Sequence, residues 1–113
     1  MDYEPWSVVV VPFPFTDSPR ARRRPALVLS STAEQGGLVG HSVLAMITSA
    51  RNSRWPLDVA IDDLPSAGLE AASVVRMKLF TLDHRFILRS IGALSEQDRG
   101  SVGTSLKKLL PGV

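Results

Sequence analysis

The apolar positions of this chain come in short, punctuated groups, and their spacing changes near the end. Residues 7–13, SVVVVPF, hold four consecutive valines, so a strand here needs cover on both faces. PFPFTDSP then interrupts the pattern with three prolines in eight residues. Residues 25–31 form a second strand, and Gly36-Gly37 turns the chain after it. In residues 41–48, Val43, Ala45 and Ile47 fall on one face and Leu44 and Met46 on the other. A polar loop, 51–54, precedes a short alternating strand over 57–61. Residues 62–72 contain Pro65 and Gly68 and predict a loop with one helical turn. Residues 73–77 and 79–82 read as strand with a bend between them, and 86–94 as the last strand.

After Ser95 the period becomes helical. Asp98 stands three residues beyond Ser95, as in a capping box, and Val102, Leu106, Leu109 and Leu110 lie near helical spacing. A helix from about 96 to 110 is expected to lay one apolar stripe on a sheet. Five to seven short strands and a terminal helix predict a mainly β, small, strongly bent barrel.

Composition narrows the classes. With 113 residues, 44% hydrophobic and 21% charged, the chain reads as one globular domain, 1–113, with little core to spare, and dimerisation would help it. No apolar run approaches the ~20 residues of a membrane span, and the acidic start MDYEPWS is not a secretory signal. The chain has no cysteine, which excludes disulfides, thiolate catalysis and cysteine-based zinc sites and points to the cytoplasm. Net charge is only +2, so the position of the charge matters more than its amount.

Ten of the 13 positive residues are arginine, and four of these crowd into RARRR, at Arg20, Arg22, Arg23 and Arg24. Arginine engages phosphate through two parallel N–H donors, which lysine cannot do. Arg20, Arg22 and Arg23 read as a mobile positive loop that gathers an anionic chain. Pro25 forces an extended conformation on Arg24, at the mouth of the second strand. Trp55 follows Arg54 and either stacks an unpaired base or packs with Pro56 at the barrel rim. Arg76 either touches RNA or pairs with Asp58 or Asp62. Trp6 reads as a plug at the barrel end. His41 and His84 read as exposed loop residues, and two histidines without a carboxylate cluster make no metal site.

VVVVPFPFTD, RRPALVLSS, AMITS, WPLDV, SVVRMKLFTLD and LRSIGALSEQD follow one another in an order and spacing that resembles the PemK/MazF-like toxins of bacterial toxin–antitoxin pairs. The resemblance runs from about Val8 to Asp98. It implies an SH3-like barrel, a homodimer, and a metal- and cofactor-independent ribonuclease that cuts single-stranded RNA at short sequences. It also implies a cognate antitoxin whose extended C-terminal segment blocks the RNA groove. The family's catalytic pair carries over to Arg24 and Thr48, and its groove residues to Ser30 and Arg76. Relatives commonly begin the first strand with Gly-Asp where this chain has Trp6-Ser7. Some place an aspartate where this chain has Lys78, which removes a candidate general base.

The chemistry fits those residues. RNA carries its own nucleophile, the 2′-OH, so the protein has to align three atoms and stabilise charge on the phosphorane oxygens. A fixed guanidinium suits that task, which assigns Arg24 to transition-state charge and to proton donation toward the leaving 5′-oxygen. Thr48 would hydrogen-bond a phosphate oxygen or the 2′-OH, with Ser30 and Ser49 assisting and Arg51, Arg54 and Trp55 among the RNA contacts. Two other readings stay open: a non-catalytic barrel that binds nucleic acid or a peptide, and a gyrase-poisoning toxin on the same barrel. The second is disfavoured by the ending Leu110-Pro111-Gly112-Val113, which lacks the tryptophan such toxins use.

Overall fold

The computed structural model describes residues 2–14, 20–52 and 54–113. Within them six strands form one antiparallel sheet: β1 (Ser7–Phe13), β2 (Arg22–Val28), β3 (His41–Ser49), β4 (Val59–Ala60), β5 (Ser73–Asp83) and β6 (Arg89–Ala93). Their order across the sheet is β4-β5-β3-β2-β1-β6, with every neighbouring pair antiparallel. The helices are α1 (Leu64–Ala67) and α2 (Glu96–Leu109). This is the mainly β, curled sheet with a C-terminal helix that the pattern predicts. Among the described residues no helix is long and apolar enough to cross a membrane.

Alternation sends neighbouring residues to opposite faces, and both faces are covered. Val8, Leu27, Ala45, Ile47 and Val75 join Leu94 and Val102 in one core cluster. Val9, Val11, Ala26, Val28 and Leu44 join Leu82 and Ile87 in the other. The valine run of β1 is thus buried throughout. Trp6 packs against the first cluster, and its backbone bonds Val28 and Leu94, which ties the entry of β1 to the exit of β6.

The helix begins as expected, with the Ser95 hydroxyl accepting from the Asp98 N–H at 3.2 Å. Asp98 does not complete the capping box. It is 1% exposed, and its two carboxylate oxygens accept the backbone N–H groups of Asp62 and Asp63, at 3.1 and 3.0 Å. It therefore fastens the α1 loop to α2. Gly92 lets the same region close up, because a Cβ there would meet the Ser66 carbonyl oxygen at 2.4 Å. Val102 and Leu106 face the core as the helical stripe requires, but Leu109 and Leu110 are exposed.

Several boundaries move. β2 begins at Arg22 rather than 25 and ends at Val28 rather than 31, because Arg22 and Arg23 pair with Phe13 and Pro12 of β1. Backbone pairing holds an exposed hairpin end extended whatever its side chains. The 57–61 strand shortens to β4, and 84–86 forms a 3-10 turn before β6. β5 is one strand, not two. Its register against β3 shifts between Ala45 and Met46: Leu79 faces Ala45 but Arg76 faces Met46, leaving Met77 and Lys78 without counterparts. Part of the expected proline-rich turn, residues 15–19, lies outside the described residues.

Candidate active site

The β2–β3 ladder pairs Ala26 with Met46, Leu27 with Ala45 and Val28 with Leu44. Continued by two residues, that register sets Arg24 opposite Thr48. Thr48 in turn faces Val74 of β5, and Arg76 faces Met46 one row along. Adjacent strands lie ~4.8 Å apart, so Arg24, Thr48 and Arg76 share one face within the width of three strands. Arg22 shares that face by alternation, while Arg23 points to the other. Arg20 is exposed just before β2. The arginine run is thus strand from Arg22 onward, not a mobile loop.

Arg24 is half-buried and lines a shallow cleft with Phe13, Met46 and Phe80. Among the described residues it has no ion-pair partner. An apolar setting with no carboxylate keeps a guanidinium available to an incoming anion. Thr48 is 8% exposed, and its hydroxyl oxygen accepts from Asn52 Nδ2, which leaves its own proton free to donate.

Arg76 binds Asp58 through two bonds, Nε to Oδ1 at 3.2 Å and Nη2 to Oδ2 at 3.0 Å. The Asp58 hydrogen bonds hold the Arg76 pKa above the ordinary arginine value. Asp58 Oδ2 also accepts the Trp55 N–H at 3.1 Å, and the Asp58 N–H returns to the Trp55 carbonyl. Pro56 and Leu57 occupy the centre of that turn. Leu57 has φ of 66°, a conformation usually left to glycine, so the turn is held by its surroundings. Lys78 Nζ lies 4.3 Å from the Trp55 ring centroid and Arg76 Cζ 5.9 Å from it. Trp55 is 43% exposed on this cationic backing.

Other expected residues are placed differently. Arg51 and Arg54 are exposed in the turn after β3, where the Ser49 hydroxyl accepts the Arg51 N–H. Ser30 is not brought to Arg24 and Thr48. Its hydroxyl accepts the Val43 N–H at 3.0 Å, and it lines an apolar cleft beneath the end of α2. It stands six residues beyond Arg24, two past the end of β2. His41 is exposed, as expected, but His84 is not a free loop residue. Its Nε2 bonds the buried Ser42 hydroxyl at 2.7 Å, and Tyr3 meets its ring edge-on. Among the described residues no group of three or more His, Cys, Asp or Glu is placed to hold a metal.

Sequence reading missed Asn52 and Phe13, and took Lys78 only as a departure from the family's pattern, not as a neighbour of Trp55. Lys78 was legible, since residues two apart on a strand share a face and Arg76 was already a candidate. Phe13 lies opposite Arg22, which only the hairpin register reveals. Asn52 gave no signal, because a turn of known sequence does not disclose which way its side chains fold back.

A curled antiparallel sheet with a C-terminal helix is also the fold of solved MazF toxins. Solved MazF structures from Deinococcus radiodurans share it. One, a MazE–MazF crystal structure, is 25% identical with a TM-score of 0.70, covering 97% of this chain and 96% of that one. Another, of MazF, is 25% identical with a TM-score of 0.71 over 98% of each chain. The Mycobacterium tuberculosis toxin MazF-mt6, at 19% identity, shares the fold with a TM-score of 0.71 over 93% of this chain and 96% of that one. No curated protein sequence matches the chain. Residues 4–110 match the family described as PemK-like, MazF-like toxin of type II toxin-antitoxin system, and the chain belongs to that family.

Proposed function

We propose that this protein is an endoribonuclease toxin that cuts single-stranded RNA without a metal. The observation that carries the reading is the β2–β3 register, which continued by two residues puts Arg24 opposite Thr48, with Arg76 one row away. The 2′-oxygen attacks the adjacent phosphorus, the P–O5′ bond breaks, and the products are a 2′,3′-cyclic phosphate and a 5′-OH fragment. The 2′ proton leaves to water, and the 5′-oxygen takes up a proton on departure. Arg24 offers two N–H donors to the non-bridging oxygens, where charge accumulates. The Thr48 hydroxyl donates to the phosphate and fixes it against the 2′-OH. Trp55, backed by Lys78, stacks an unpaired base, and Arg22, Arg51 and Arg54 draw in the phosphate chain.

The partners in this reading are a cognate antitoxin and a second protomer. One of the solved relatives is a MazE–MazF pair, which supports the first. The apolar cleft of about 340 Å³ between α2, β3, β5 and the Leu29-Ser30 segment after β2, bordered by exposed Leu110 and Val113, supports the second. The test is to incubate the pure protein with defined single-stranded RNA in chelator and map the new 5′ ends. Cuts at short fixed motifs with 5′-OH ends are expected, with Arg24→Ala slower by ~100- to 1,000-fold. Salt-sensitive RNA binding with no cleavage would instead make this a binding module.

A further inference from the structure

Asn52 stands four residues beyond Thr48 in the turn after β3, and its Nδ2 donates to the Thr48 hydroxyl oxygen. The same side chain lines an open cleft of about 390 Å³, within the ~300–1,000 Å³ typical of small-ligand sites. Trp55 and Asp58 form the cleft's polar side with Arg54, and the small residues Ala50 and Ala60 leave its floor clear. We infer that Asn52 determines specificity: its carboxamide reads one unpaired nucleobase seated against Trp55 and holds the Thr48 hydroxyl at the same time. This rests on the RNA-cleaving reading of the site.

The hydrogen-bond inventory carries the argument. A carboxamide has two N–H donors and an oxygen with two lone pairs. The bond to Thr48 uses one N–H, which leaves a donor and an acceptor side by side. That pair matches a base edge that presents an acceptor next to a donor. Asp58 is less available, because both its oxygens already accept from Arg76 and one also accepts from Trp55. Its role is to hold the wall on which the base stacks. Arg54, exposed at the rim, meets the adjoining phosphate.

The bond to Thr48 has a second effect. By accepting from Asn52, the Thr48 hydroxyl keeps its own proton for a second acceptor on the face it shares with Arg24. A base that engages the Asn52 carboxamide therefore acts on the Thr48 hydroxyl through one shared side chain. Asn52 is a positioning residue for the reaction as well as a reader of sequence.

Two measurements test this in the intact protein. One maps cleavage of a random-sequence RNA pool. The other follows Trp55 fluorescence, in a Trp6→Phe background, on titration with uncleavable 2′-fluoro RNA oligomers varied at one position. The expected result is a base preference next to the cut that Asn52→Ala flattens by about 10-fold or more while other positions are unchanged. Asn52→Asp, which keeps the size but loses both N–H donors, shifts the preference toward an edge presenting two donors. With RNA saturating, so that base binding no longer limits, the Asn52→Ala/Thr48→Ala double variant cleaves no more slowly than Thr48→Ala alone. An Asn52→Ala profile identical to wild type at every position overturns the inference and leaves the cleavage reading standing. If the wild type cuts nothing yet shows a base preference that Asn52→Ala removes, the nucleobase site stands and the cleavage reading fails. If it neither cuts nor discriminates, both fail.

Discussion

Arg76 grips Asp58 with two hydrogen bonds, and Asp58 in turn fixes the backbone N–H of Trp55. One carboxylate thus sets the position of a cation and an aromatic ring together. Trp55→Ala is expected to weaken RNA binding by about 5- to 100-fold, the loss that follows removal of one stacked base. Asp58→Ala should weaken it in the same direction but less, since the ring remains and only its anchor goes. Fluorescence or filter-binding titrations compare the two. Equal affinity in wild type and Trp55→Ala would remove the ring from the RNA path.

Arg24→Lys tests what kind of charge the site needs. Lysine keeps the charge but presents a single ammonium, without the parallel donors that span two phosphate oxygens. Single-turnover cleavage by Arg24→Lys should fall close to that of Arg24→Ala, within about tenfold, rather than near wild type. Recovery to wild-type rates would mean that charge alone suffices.

Salt dependence separates the two faces of β2. Each phosphate contact on a single strand contributes about −0.7 to the slope of log K against log salt. Arg22, on the Arg24 face, should lower that slope by about 0.7 when replaced by alanine, whereas Arg23→Ala should leave it nearly unchanged. Equal changes would show that the RNA wraps the hairpin end.

Asp98 is a stability residue with no part in the chemistry. Asp98→Ala takes the acceptors from the part-buried N–H groups of Asp62 and Asp63, at a cost of about 1 kcal/mol each. A melting temperature lower by roughly 10 °C is expected from calorimetry or circular dichroism. Asp98→Asn should fall between, since its amide oxygen replaces only one of the two acceptors.

Acid should loosen two turns. Bonds from the Ser66 side chain and then its backbone N–H hold the Asp63 pKa below its ordinary value. The Arg85 backbone N–H, chiefly, does the same for Asp83. A depressed folded-state pKa gives stability that is present above the unfolded value of about 3.9 and is lost as pH falls through the lower folded one. Melting temperature should therefore drop below about pH 4 and drop less in Asp63→Asn/Asp83→Asn. Parallel curves for both proteins would count against the assignment.

The fold was legible where side-chain period and backbone state agree. The valine run gave β1 to the residue, and Ser95 with the apolar spacing gave α2 to within one position. Legibility failed where strand pairing alone sets the backbone. Arg22 and Arg23 look like loop, yet they are strand because β1 lies beside them. The catalytic candidates Arg24 and Thr48 came from resemblance, and only the register places them together. The partners of Thr48 and Trp55 depend on how two turns fold back, which Asn52 and Asp58 do not announce in sequence. The misplacement of His84 has the same origin, because its partners Ser42 and Tyr3 are remote along the chain.

The unmatched pair Met77 and Lys78 in β5 has a further consequence. An insertion of one residue would turn the rest of the strand inside out, sending Phe80 and Leu82 to the wrong core. Two residues restore the alternation, so Leu79 returns beneath the helix and Phe80 to the opposite layer. The strand thus carries an even measure of slack beside the groove. Lengthening or trimming it in pairs offers a lineage a way to alter the groove's reach and charge, with Lys78 as the present instance, while the packed interior keeps its arrangement.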